Sequence, residues 1–184
     1  MSDDLQARLD QLAPLLVEGS PHAVDLGFKL EAIRPGEAVI RAPYREDLIG
    51  DPDTGVMHGG VVTALLDHVS GTAGFAGLGA TQALATLDLR LDYMRPATPG
   101  RDVIAEARTI KVSGLIAFVE AVAHDGDRDD PVATAHAAFM VNKVSQDAAE
   151  KVRANVEAGI EKGVTPISKL PDVGGRGGRW WKTA

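Results

Sequence analysis

Leu5, Leu9, Leu12, Leu15 and Leu16 recur at three- and four-residue intervals, which predicts an amphipathic helix over residues 3–18. Gly19-Ser20-Pro21 stops it. Two strands are expected at 24–33 and 37–42, joined at Arg34-Pro35-Gly36, followed by a loop over 43–57 punctuated by Pro43, Gly50, Pro52 and Gly55. From Gly59 the pattern changes. Val61, Val62, Ala64, Leu65, Leu66, Val69, Ala73 and Phe75 make a segment apolar nearly all round, as in a buried helix that frays into Gly77-Leu78-Gly79. Gly71 and Gly74 share one face of it. Each glycine costs a helix about 1 kcal/mol against Ala, so close approach to a packed surface is the expected reason. Then Leu87, Leu89, Leu91 and Tyr93 alternate with Thr86, Asp88, Arg90 and Asp92, a period of two that predicts a strand with Thr86 on its polar face. Further strands fit 102–112, 115–124 and 132–142, turning at Gly114 and at the acidic run 125–130. Residues 145–161 read as a polar helix with Ser145 as N-cap. From Gly163 the chain is rich in glycine and proline, the composition of a flexible tail.

The order is helix, two strands, one buried helix, then four strands with hairpin-length links. That argues for an α+β fold with an antiparallel sheet that curves around the apolar helix. The 184 residues are enough for one domain with a real core. With aromatics at only 4%, that core must be aliphatic and alanine-rich, and thin side chains suggest that a second subunit completes part of it. The net charge of −7 argues against DNA, RNA or an anionic membrane as the main partner, but leaves room for an anionic small ligand on a local basic patch. There is no cysteine, which excludes disulfides, thiolate zinc sites and cysteine nucleophiles. Met1-Ser2-Asp3-Asp4 does not fit a secretory signal, and the stretch 59–80 carries Asp67 and His68, so a cytoplasmic protein is expected.

Three places can carry chemistry. In Gly55-Val56-Met57-His58-Gly59-Gly60 a helix begins, and its first amides are unpaired and partly positive. Gly59 and Gly60 have no Cβ, so those amides either receive a ligand oxygen, as an oxyanion hole does, or simply permit tight packing. Asp67 sits two turns into the apolar helix. A carboxylate there needs a partner or a wet cleft, and it is either functional or paired with a neighbouring strand. Thr86 either orients a water beside Asp67 or is an ordinary outer-face threonine.

His58-Gly59-Gly60, with an acid nine residues after His58 at Asp67, resembles the hot-dog acyl-CoA thioesterases of the phenylacetate-pathway (PaaI-like) type. The run from Thr86 to Ala97, through Tyr93-Met94-Arg95-Pro96, is similar to that family's strand after the central helix. Phe118-Val119-Glu120-Ala121 and Val132-Ala133-Thr134-Ala135 are similar to its closing hairpin. The likeness covers residues 22–143. It implies a hot-dog fold with added N- and C-terminal helices, divided as an N-terminal helix 1–20, a thioesterase domain 21–144, a C-terminal helix 145–162 and a Gly-rich tail 163–184. It implies a homodimer or homotetramer with sites at the subunit interface. Asp67 would be nucleophile or general base, the Gly59 amide would polarise the thioester carbonyl, His58 would fix the turn, and Thr86 would orient the water. Gly60 would stand beside the substrate. Relatives carry an amide side chain before His-Gly-Gly; here the loop is one residue longer and Asp51 is the nearest counterpart. For the phosphates of CoA the expected groups are Arg90, Arg95 and Lys111, with Ser113 and Gly114 at a turn. No metal or redox cofactor is expected, coenzyme A entering only as part of the substrate.

Two further readings remain open: a hot-dog protein that binds acyl-CoA without turnover, and an acyl-thioester hydratase or dehydratase using His58 and Asp67. Asp67, His68 and Ser70 are triad residue types, but adjacency on a helix scatters them and no Gly-x-Ser-x-Gly elbow exists. The aspartates of 125–130 lack the glycine and glutamate of a calcium loop. The histidines show no metal-binding spacing and the glycines no dinucleotide fingerprint.

Overall fold

The computed structural model describes residues 2–142. The helix expected at 145–161 and the tail from Gly163 lie outside the described residues. The chain opens with α1 (Ser2–Glu18) and a short α2 (Pro21–Asp25). A strand was expected to start at residue 24. Instead Ser20 caps α2 by accepting from the Ala23 N–H, and Pro21 supplies a preset helical φ. Gly27, at φ +72°, then turns the chain into β1 (Lys29–Arg34). β2 (Glu37–Ala42) follows. The stretch expected as plain loop holds a small hairpin, β3 (Ile49–Asp51) with β4 (Val56–Met57). Next come α3 (Gly59–Gly77), β5 (Ala83–Tyr93), β6 (Val103–Ser113), β7 (Ile116–His124) and β8 (Ala133–Asn142).

Six strands form one antiparallel sheet in the order β1-β2-β6-β7-β8-β5, so β1 and β5 are its edges. Its inner face lies on α3. Leu65, Leu66, Val69 and Ala73 are fully buried against alanines of β6, β7 and β8. Small side chains on the sheet let the helix come close, and glycines of the helix do the rest. A Cβ on Gly74 would sit 2.8 Å from Leu84 Cδ1, and one on Gly77 would sit 2.7 Å from Thr109 Oγ1. α1 packs Leu9 and Ala13 against Ile33, Ala76 and Ala80. His68 ties α3 to α1: its Nε2–H donates to the Leu16 carbonyl at 2.7 Å, and burial pushes the imidazole pKa down.

Three bulges bend the sheet. The pairing slips between Leu30 and Ala32, between Thr86 and Asp88, and between Thr109 and Lys111. An extra residue on one strand increases local twist and bend, which is how a sheet of this width wraps a single helix. The slip in β5 leaves Leu87 unpaired and shifts the alternation by one. Thr86 therefore stands on the helix-facing side with Leu89, Leu91 and Tyr93, while Asp88, Arg90 and Asp92 face outward. The uninterrupted alternation expected from the sequence, with Thr86 on the outer face, is corrected by this bulge.

Candidate active site

α3 begins where the β3–β4 hairpin delivers His58. The His58 N–H donates to the Leu48 carbonyl at 2.9 Å, and Gly50 passes so close that a Cβ there would lie 2.8 Å from His58 Cα. His58 is the N-cap. Its Nδ1 accepts from the Gly60 N–H at 2.9 Å, so the neutral ring carries its proton on Nε2. Its carbonyl accepts from the Val61 N–H at 2.9 Å. The Gly60 amide, expected to meet substrate, is thus committed to His58. The Gly59 N–H belongs to the first helical residue, lies outside the intrahelical ladder, and has no protein acceptor among the described residues. It carries the positive end of a 19-residue helix.

Two turns along, on the same face as Gly59 and Thr63, stands Asp67. It is half-buried rather than enclosed, and its Oδ1 accepts from the Thr86 hydroxyl at 3.0 Å. That bond leaves the second carboxylate oxygen without a hydrogen-bond partner among the described residues.

Sequence reasoning missed Tyr93 and Thr63. The Tyr93 hydroxyl donates to the Gly59 carbonyl at 2.6 Å, Thr63 Oγ1 reaches the same carbonyl at 3.1 Å, and the two hydroxyl oxygens are 2.7 Å apart. Tyr93 was visible only as one member of an alternating strand. Nothing local told that its hydroxyl would reach a helix start 34 residues earlier in the chain.

Other expected site residues stand elsewhere. Asp51 spends its carboxylate on its own turn, accepting from the Thr54 hydroxyl at 2.7 Å and the Asp53 N–H at 3.1 Å, which hold its pKa below the usual carboxylate range. It is an acceptor and cannot replace an amide donor. Arg95 is not available to a phosphate. It grips Asp125 with both terminal nitrogens, at 2.9 and 2.7 Å, donates to the Asp130 carbonyl at 2.7 Å, and has its Nε 2.9 Å from the Asp130 carboxylate. Asp125, only 4% exposed, also accepts from the Thr98 N–H at 2.6 Å, and the Arg95 guanidinium holds its carboxyl far below its usual range. Arg90 is 73% exposed and lies opposite His136 on the outer face of the sheet, paired loosely with Asp92. Lys111, Ser113 and Gly114 are exposed at the β6–β7 hairpin. That hairpin lies past Thr109, which bonds Ala73 near the C-terminal end of α3, about 21 Å along the helix from Gly59. Within one chain the structure brings together Asp67 with Thr86 and His58 with Gly59 and Gly60; Asp51 follows Gly50, which packs on His58, but its carboxylate bonds only within its own turn, and Arg90, Arg95 and the β6–β7 hairpin are not brought to them. Among the described residues no three His, Asp or Glu side chains converge in a way that could hold a metal ion, and no helix is long and apolar enough to cross a membrane.

A long helix gripped by a curved six-stranded antiparallel sheet, with a capped glycine start and a carboxylate on its open face, is the hot-dog architecture. Residues 54–132 match the profile of the thioesterase superfamily. A solved structure of a protein from the thioesterase superfamily is 31% identical, with a TM-score of 0.64, covering 72% of this chain and 97% of that one. The phenylacetic acid degradation protein PaaI of Thermus thermophilus, solved as a mutant, is 28% identical with a TM-score of 0.58, covering 66% of this chain and 98% of that one. A Halobacterium salinarum protein, named as an unproven esterase, is 36% identical over 98 residues; the match spans 52% of this chain and 64% of that relative's length. The medium/long-chain acyl-CoA thioesterase YigI of Salmonella typhimurium is 25% identical, covering 72% of this chain and 93% of its own. This chain belongs to the thioesterase superfamily.

Proposed function

We propose that this protein hydrolyses acyl-CoA thioesters. The observation that carries the reading is the pairing, on one face of α3, of an unpartnered helix-start amide at Gly59 with a half-open carboxylate at Asp67. A thioester needs little more. The Gly59 N–H receives the carbonyl oxygen as it gains charge. Asp67 takes a proton from a water held by Thr86, that water's oxygen bonds to the carbonyl carbon, and the C–S bond breaks. The CoA sulfur leaves as thiolate and is protonated, and Asp67 gives up the proton it accepted to restore its carboxylate. The likeness to a curated acyl-CoA thioesterase supports CoA as the carrier of the acyl group.

Gly59 and Asp67 are eight residues apart on one helix, about 12 Å along its axis. A single carbonyl must lie about 3 Å from its donor and close to the attacking water, so one chain does not hold a complete site. The reading therefore requires a second copy. β5 is an 11-residue edge strand with exposed Leu87 and Tyr93, and its Thr86 and Tyr93 reach Asp67 and Gly59. Pairing of two β5 edges about a two-fold axis would set Asp67 of one copy toward Gly59 of the other. Lys111, Ser113 and Gly114 then remain the groups for the phosphates of CoA, since Arg95 is paired and Arg90 faces outward.

The test is thiol release from a panel of aromatic and aliphatic acyl-CoAs by wild type and Asp67→Asn. The variant is expected to lose on the order of 100-fold in kcat while remaining folded. Equal turnover by both would refute the assignment. Binding of acyl-CoA without any turnover by wild type would favour a carrier.

A further inference from the structure

Gly59 and Gly60 are the two most permissive residues a chain can place in succession, yet the amide that the proposed reaction uses has to point in one direction. Fixed bonds surround it. The peptide unit that carries the Gly59 N–H is held at its other end, where the His58 carbonyl accepts from Val61. The next peptide unit is held at both ends: the Gly60 N–H by His58 Nδ1, and the Gly59 carbonyl by the Thr63 N–H of the helix ladder and by the Tyr93 hydroxyl at 2.6 Å. Tyr93 is the only one of these partners that comes from the sheet. It also occupies the space over Gly59, where a Cβ would lie 3.4 Å from its oxygen.

The same strand holds the other half of the machinery, since Thr86 binds Asp67. Thr86 and Tyr93 are seven residues apart. In a regular strand an odd separation puts two side chains on opposite faces. The unpaired Leu87 removes one residue from that count and brings both hydroxyls to the helix side.

We propose that Tyr93 is a positioning residue: through the Gly59 carbonyl it fixes the direction of the Gly59 amide, and the Leu87 bulge exists to deliver Tyr93 and Thr86 to α3 together. This rests on the hydrolase reading above. The Thr63 hydroxyl also reaches this carbonyl, at 3.1 Å, and is the weaker of the two side-chain holders.

Tyr93→Phe keeps the ring and removes only the hydroxyl. With an accepted acyl-CoA, kcat is expected to fall on the order of tenfold while KM stays within about twofold, because a misdirected amide is lost in the transition state more than in substrate binding. Thr63→Val is expected to cost less than Tyr93→Phe. Amide hydrogen exchange read by NMR supplies a signal independent of turnover: the Gly60 N–H is expected to exchange several-fold faster in Tyr93→Phe, with the amides of β8 unchanged. An unchanged kcat overturns the proposal, whatever the exchange shows. A fall in kcat that only tracks loss of folded protein by circular dichroism overturns it too. If wild type turns over no acyl-CoA, the hydrolase reading fails by itself. The Gly60 exchange rate then decides whether Tyr93 holds the helix start, and equal rates in the two proteins refute that.

Discussion

Arg95 follows the end of β5 closely and looks, as a sequence letter, like a free cation near a site. Its neighbours decide otherwise. Asp125 is buried and its carboxylate accepts three hydrogen bonds, two from Arg95 and one from the Thr98 amide. Removing Arg95 leaves the Asp125 charge buried without its cation, and removing Asp125 takes three hydrogen bonds from the corner and leaves Arg95 to Asp130, so either change costs more than losing a surface pair. Asp125→Ala is expected to destabilise the fold by roughly 2–4 kcal/mol, read from urea denaturation. The pH sign follows from the depressed carboxyl. The stabilisation is complete above the ordinary aspartate range near 4 and is lost as pH falls below it, because the unfolded chain takes up the proton first. Lys111 is the contrasting case, an exposed cation on an open hairpin. Lys111→Ala is expected to leave stability unchanged and to raise KM for acyl-CoA several-fold with little effect on kcat, as loss of uniform binding does.

Elements meet here through missing atoms as much as through side chains. Gly77 admits Thr109, whose hydroxyl then bonds the Ala73 carbonyl at 2.9 Å and pins β6 to the end of α3. Gly77→Ala would drive a methyl to 2.7 Å from that hydroxyl oxygen. A loss of about 1–3 kcal/mol is expected in thermal or urea unfolding, the usual range for overpacking. α1 is fastened by a different device, the buried His68 Nε2–H on the Leu16 carbonyl. Burial lowers the His68 pKa, with the hydrogen bond to the Leu16 carbonyl and the nearby Asp67 carboxylate opposing and His22 reinforcing that shift. The unfolded ring therefore protonates before the folded one, and stability falls as pH drops below about 6.5. Tm measured from pH 7.5 to 5.5 is expected to decline, with a shallower decline in His68→Gln.

The whole molecule is where the proposed chemistry becomes possible. A carboxylate and an amide spaced about 12 Å apart on one rigid helix serve one carbonyl only if a second helix is brought alongside. Subunit mixing checks this directly. Asp67→Asn and Gly59→Val proteins, each inactive alone, are expected to regain a substantial share of wild-type turnover when unfolded together and refolded. In a mixed dimer one interface holds Gly59 from one subunit and Asp67 from the other. No recovery, with mixed dimers demonstrated by mass spectrometry, would place the whole site in one chain.

Periodicity along the chain determined most of the architecture. The central helix was legible from an apolar run too long and too uniform for a surface element, and β6, β7 and β8 begin one residue later than their patterns predict. His58, Gly59 and Asp67 were legible as candidates because a glycine helix start and an acid in an apolar helix are local anomalies. The rest depended on contacts between distant residues. Leu87 carries no local signal of a bulge, since an extra residue is defined only by the pairing of β5 with β8, and that slip alone turns Thr86 and Tyr93 toward the helix. Arg95 is a further case, since its partners Asp125 and Asp130 lie 30 and 35 residues further along the chain. A charge in a sequence has no partner until the fold supplies one, and whether it is free or spent is a property of tertiary distance.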